Sequence, residues 1–251
     1  MYIDRSEIKQ EAKKRLRGHI GEGFIIGILP ILLVAVSMVI VTIAWQGGSQ
    51  VDTGVSSTVS SFNLGNGTTV EAIITSVVSG ILQVSTSLGF LTWLRQRPAN
   101  QSPLVRGLTA FQPNYFFGIL TIFALSTILY NVPAMVQALN PKGDPLLSII
   151  YIVLLIVMIV IQLGLSQVYY VYLDLKDTHT GGIIDAFRYS WQLMSGFKGQ
   201  YFILELSFIG WDLLGLLVIP LIWVMPYQRI TYAAFYEKVK AYKQILPTAA
   251  K

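Results

Sequence analysis

The chain has 251 residues, 53% of them hydrophobic and only 12% charged, with a formal charge of +5. Soluble domains carry about twice that charged share, so an ordinary water-soluble globule is excluded. There is no cysteine, which excludes disulfide and thiolate chemistry, and the two histidines, His19 and His179, are too far apart in sequence for metal-ligand spacing.

Residues 1–23 form a basic amphipathic opening. Asp4 and Glu7 have capping-box spacing, with Asp in place of Ser or Thr. Ile8, Ala12 and Leu16 share one helical face, and Lys13, Lys14, Arg15 and Arg17 supply a basic membrane-surface cluster. The expectation is an interfacial helix, apolar face toward acyl chains and basic face toward anionic phospholipid headgroups. Residues 24–45 read as a first span: the apolar core is longer than a signal-peptide h-region, and no A-x-A-like site follows. Residues 46–69 are small and polar without lysine or arginine, a flexible external loop. The glycosylation-like triplet at Asn66 is read as chance.

Further spans are expected at 70–94, 115–138 and 146–173. "SPLVRGLTAF" introduces the third, with Ser102 as N-cap and Pro103 behind it. "IIDAFRYSWQLM" follows the fourth and repeats Ile184, Phe187, Trp191 and Met194 at helical spacing. The last apolar stretch divides into spans at 201–217 and 220–238, with Pro220 in the first turn of the second. The rival is five spans and an amphipathic tail. Charge separates the two: with six spans, 16 of the 18 lysines and arginines fall on one side, which the positive-inside rule makes cytoplasmic along with both termini. The fold expected is an all-α membrane bundle of six helices in a single domain, arranged as three hairpins with interfacial elbow helices. The hairpin ends "LGFLTWLRQ", "YYVYLDLKD" and "YAAFYEKVK" rhyme, each running from aromatics into charge, which suggests three copies of one unit.

Polar groups inside lipid must face protein or water. Span two places Ser76, Gly80, Gln83 and Ser87 on one face, and span four brings Gln162 and Ser166 together with Tyr169 or Tyr170. Helix packing is one reading of these faces; a polar path is the other. "GFIIG" fits the small-xxx-small packing pattern. Arg229 falls near mid-membrane, where an arginine costs roughly 2.5–3.5 kcal/mol on insertion scales. Glu205 and Asp212 each lie about one turn from its level, and either carboxylate would neutralise it. It is read as a clasp for the last hairpin or as a contact for an anionic substrate. Gln228, Tyr227, Gln162 and Gln83 complete the candidate intramembrane site.

The stretch 189–236 contains a serine before "LMSG" (Ser190, then residues 193–196), "LSFIGW" at 206–211, Pro226–Tyr227 and Phe235–Tyr236. With the basic opening "RSEIKQEAKKRLRG", it resembles a family of bacterial integral membrane proteins known as domain of unknown function 975. A departure lies at 216–220, "LLVIP", where the family often has a Gly-Ile-Gly turn. The resemblance implies a multi-span helical fold in the bacterial plasma membrane and no established reaction.

No phosphate loop, zinc-protease or nucleophile-elbow motif occurs. Asp174, Asp177, His179 and Asp185 cluster in sequence, but no second histidine or nucleophile joins them; they read as loop-capping groups. The chain is therefore read as a non-enzyme without cofactor or metal. Its partners are the lipid bilayer, anionic headgroups, and another membrane protein or a second copy; the basic residues follow topology, which argues against nucleic acid. The leading functional expectation is a transporter, permease-like or lipid-handling protein, and the alternative is a scaffold or regulatory subunit. A transporter is expected to line a cavity with Arg229, Gln162 and Gln83.

Overall fold

A computed structural model describes residues 4–28, 32, 36, 67–96, 101–140, 144–211 and 221–246, and every regular element among them is helical. In chain order these include α1 (Arg5–Leu16), α2 (Gly67–Leu94), α3 (Pro103–Gly107), a 3-10 turn (Thr109–Phe111), α4 (Pro113–Tyr130), α5 (Val132–Ala138), α6 (Pro145–Leu165), α7 (Val168–Asp177), α8 (Ile183–Met194), α9 (Lys198–Leu206) and α10 (Leu221–Lys243). Three stretches are long and apolar enough to cross a membrane: Ser76–Leu94, Pro113–Ala138 and Pro145–Asp177. Most of the expected first span, the external loop and the turn between the last two expected spans lie outside the described residues.

Two expected single spans are each built from two helices. The third is broken at Asn131, because Pro133 follows in the first turn of α5 and has no N–H to give to the ladder; the Asn131 backbone and side-chain N–H groups both donate to the Thr127 carbonyl. The fourth is broken at Ser166–Gln167, where the Ser166 hydroxyl donates back to the Leu163 carbonyl 3.0 Å away, competing with backbone pairing. Conversely, α10 runs unbroken through Pro226 as far as Lys243.

The elbows α1, α3 and α8 each pack on another helix. α3 lies against α2, α8 against α7, and α1 against α10, so α3 and α8 each pack on the long or broken helix just before them in the chain and α1 packs on the last helix. α2 also touches both α7 and α10. α2, α7 and α10 are the core: α7 buries Val168 and every residue from Tyr170 to Leu175, and α2 buries Leu88, Phe90 and Leu91, whereas Ile149, Ile152 and Ile156 of α6 stand outward. An outward stripe of that kind suits lipid and would be costly in water.

Glycines permit the close seats. A Cβ on Gly89 would stand 2.4 Å from the Arg106 carbonyl oxygen of α3, and one on Gly164 would stand 2.4 Å from the Trp191 ring of α8. Gly23 and Gly27 both face α10, at Pro226 and Met225, as the small-xxx-small spacing predicts.

α1 and α8 end in the same turn. Arg17 (φ −64°, ψ 115°) and Ser195 (φ −62°, ψ 121°) are followed by Gly18 and Gly196 at φ +87° and +83°. His19 N–H donates to Leu16 and Phe197 N–H to Met194, both at 3.0 Å. This is a type II turn, whose third residue needs positive φ and hence glycine. α3 departs from the pattern: it passes through the 3-10 turn to Pro113.

The expected orientation of the elbows is corrected. The Ile8–Ala12–Leu16 face of α1 does not meet acyl chains; all three are buried in protein. In α8 the departure is confined to Met194, which is buried with Ala186, Ser190 and Leu193; Ile184 and Trp191 of the same expected face are exposed. The N-caps are mixed. Asp4 accepts from Ser6 N–H at 2.8 Å, whereas Ser102 makes no side-chain cap bond.

Candidate functional site

Arg229 projects from α10 toward α2, where its Nη1 donates to Ser87 Oγ at 3.0 Å. The Ser87 hydroxyl donates onward to the Gln83 carbonyl one turn earlier. Tyr170 of α7, fully enclosed, interacts with both Ser87 and Arg229. On the other side, Tyr201 of α9 is close enough to interact with Arg229 and is the hydrogen-bond partner of Glu205. Four helices thus contribute to one string: Glu205, Tyr201, Arg229 and Ser87, with Tyr170 alongside.

Among the described residues, no ion pair joins Arg229 to Glu205; a tyrosine stands between them. Asp212, the other expected partner, lies outside the described residues. Gln83 and Gln162 are exposed, and of the two expected polar faces it is Ser87 and Tyr170 that meet Arg229. Two contacts set the rotation of α2: Gly80 lies against the Phe123 ring, and Ser85, two residues from Gln83 and on the opposite side of the helix, is buried and accepts the Ala110 N–H at 2.9 Å. Tyr227 meets Phe208 edge to face at 5.4 Å, and Gln228 is half-buried.

A second polar group lies at the basic end of the bundle, and the sequence reading did not find it. Arg95 follows α2. Its Nη1 and Nη2 reach the two Asp174 oxygens of α7 at 2.5 and 3.0 Å, and its Nε reaches Glu237 of α10 at 2.7 Å. Asp174 also accepts from the Tyr236 hydroxyl at 2.6 Å and from Lys240 at 2.5 Å. Burial disfavours the Arg95 charge, but the hydrogen bonds and charge of Asp174, helped by Glu237, prevail and raise its pKa. Two cations face two anions with their donors and acceptors matched. The group is electrically closed, which suits a lock between helices better than a ligand site.

The signal for it was present in the rhyming hairpin ends. Trp93–Leu94–Arg95, Tyr172–Leu173–Asp174 and Phe235–Tyr236–Glu237 share one register, an aromatic two residues before a charge. Arg95 is the one of the three with opposite sign, and it bridges the other two. The remaining acids of the loop cluster separate: Asp177 accepts from the Tyr115 hydroxyl, and Asp185 accepts the Gly182 N–H at the start of α8.

Residues 113–243, just over half of the chain, match the family described as Protein of unknown function (DUF975). The chain belongs to this family. Comparison with curated proteins and with solved structures found no match. The DUF975 match takes in α4 to α10, and with them Asp174, Glu237, Tyr201 and Arg229. Their partners Ser87 on α2 and Arg95 just after it come from the part of the chain before the matched region, so both polar groups tie the DUF975 segment to α2.

Proposed function

We propose that this DUF975 protein is a six-span bacterial plasma-membrane protein, both termini cytoplasmic, that moves or handles an anionic substrate, such as a lipid phosphate, at Arg229. The observation that carries the reading is the 3.0 Å hydrogen bond from Arg229 to a neutral hydroxyl, Ser87. A serine orients a guanidinium without cancelling its charge, so the group remains able to attract an anion in a medium of low dielectric. Three membrane-capable helices and an outward apolar stripe support the membrane setting. No enzymatic step or cofactor is part of the proposal.

The test is a set of variants in purified, lipid-reconstituted protein. Arg229→Leu is expected to keep the wild-type melting temperature within a few degrees while losing at least threefold of co-purified phosphatidylglycerol, measured by native mass spectrometry; Arg229→Lys is expected to retain part of it. If Arg229→Leu instead melts far earlier and Asp212→Asn or Glu205→Gln restores it, the arginine is a clasp and the substrate reading fails.

A scaffold reading is favoured by one other feature, the rings that fill the space beside Arg229: Tyr201 lies 5.7 Å from Tyr232 and 5.2 Å from Phe235. Wild-type lipid retention in Arg229→Leu would support it.

Topology has its own test. The chain lacks cysteine, so single cysteines at Ser57 and Lys243 report on a clean background. A membrane-impermeant maleimide is expected to label Ser57→Cys in intact cells and Lys243→Cys only after lysis. Labelling of Lys243→Cys from outside rules out six spans.

A further inference from the structure

A second anion-attracting feature lies away from Arg229 and shares no residue with its string. At the basic end, α1 and the turn after it face the end of α2 and the start of α3 across an open cleft of about 900 Å³. Lys14, Arg15, Arg17 and Arg106 line it, against Glu11 and Glu22. Glu22 accepts the Trp93 indole N–H at 3.0 Å, and Glu11 stands 3.9 Å from Lys238, whose nearer carboxylate is Glu7 at 2.7 Å. Four cationic side chains therefore share a concave space with two carboxylates, an excess of two positive charges.

The cleft is also held in shape. Arg15 donates to the Leu94 carbonyl at 3.1 Å, and the Gln96 side-chain oxygen, turned to accept, lies 2.9 Å from its Nη2. Arg106 is 6% exposed and reaches the Gln101 and Thr92 carbonyls at 3.4 Å. One guanidinium thus comes from each of two elbows, fixed by backbone oxygens, while Lys14 and Arg17 are exposed at the sides. Planar, pre-oriented guanidinium groups with a mobile ammonium suit phosphate oxygens. The volume is in the range that holds a small organic ligand. Trp93, at the end of the membrane-capable stretch, sets the cleft at headgroup depth.

We propose that this cleft binds a phosphate ester, seated between α1 and α3 with Arg15 and Arg106 behind it and Lys14 and Arg17 closing over it. The phosphate belongs either to a lipid headgroup or to a soluble compound, and the chemistry of recognition is the same for both. The proposal sharpens the general expectation of a basic surface, because only three of the four opening cations take part: Lys13, on the same helix, does not line the cleft.

Full-length protein in nanodiscs distinguishes the cases. One arm compares phosphatidylcholine discs with discs containing phosphatidylglycerol; the other adds glycerol 3-phosphate to phosphatidylcholine discs. Binding is read by melting temperature and by native mass spectrometry. The double variant Lys14→Gln/Arg17→Gln removes exposed side chains and is expected to fold as wild type, losing at least fivefold of the bound ligand, while Lys13→Gln loses none. Stabilisation by phosphatidylglycerol alone assigns a lipid, and stabilisation by glycerol 3-phosphate assigns a soluble ester. No stabilisation in either arm, or equal losses in Lys13→Gln and the double variant, overturns the proposal. Arg229→Leu in the same assay keeps cleft binding if the two sites are separate, so failure of one reading is not failure of the other.

Discussion

The Asp174→Asn variant is expected to lose about 3 kcal/mol of stability, the cost of removing one partner from a buried ion pair. Only 7% of the Asp174 side chain is exposed, and it receives hydrogen bonds from Arg95, Tyr236 and Lys240. Asparagine offers one acceptor oxygen and no charge, so Lys240 loses its carboxylate and Arg95 keeps only Glu237 where α2, α7 and α10 meet. Glu237→Gln is the comparison. Glu237 binds the same arginine, but its side chain is 34% exposed, and its loss is expected to cost under about 1 kcal/mol. Unfolding of detergent-solubilised protein, followed by helical circular dichroism against denaturant, measures both. Equal effects from the two variants would mean that burial does not set the strength of this group.

Gly89→Ala is expected to cost about 2 kcal/mol, although alanine is the better helix former. The added carbon would stand 2.4 Å from the Arg106 carbonyl oxygen and 2.8 Å from its carbon. Both atoms are backbone, so no rotamer relieves the clash and α3 must back away from α2. That movement also stretches the bond from Ala110 N–H to Ser85. Gly199→Ala is the control: nothing lies within 4 Å of its Cβ position in α9, and the change is expected to be neutral or slightly stabilising. Wild-type stability in Gly89→Ala would show that the elbow does not depend on this close approach.

Both predictions concern contacts that join distant parts of the chain, and there the sequence was least legible. The elbow helices illustrate why. The large apolar residues Ile184, Phe187, Trp191 and Met194 of α8 form the face expected to meet acyl chains, yet Met194 is buried in protein while Ile184 and Trp191 are exposed. The face that meets protein instead includes Ala186 and Ser190, and the Ser190 hydroxyl donates to the Gly164 carbonyl at 3.0 Å. Around a membrane, large apolar side chains are as comfortable in lipid as in a core, so small residues decide where helices touch. The same effect turned Gln83 outward while Ser87 faced Arg229. Within α1 the ordinary rule held for burial and failed for the partner: Ile8, Ala12 and Leu16 are covered, but by protein.

The sequence by itself determined that the chain is helical and apolar enough for a membrane, and that the ends of three apolar stretches repeat a pattern of aromatics running into charge. These are properties of composition and short-range periodicity, which are written locally in the chain. Only the tertiary structure decided that the repeated ends converge, so that Arg95, Asp174 and Glu237 become one charged lock, and that Arg229 rests on a serine instead of Glu205. The reason is rotational. A turn of about 100° per residue separates neighbouring side chains on a helix, and the rotation of each helix is set by glycine contacts with partners far away in sequence.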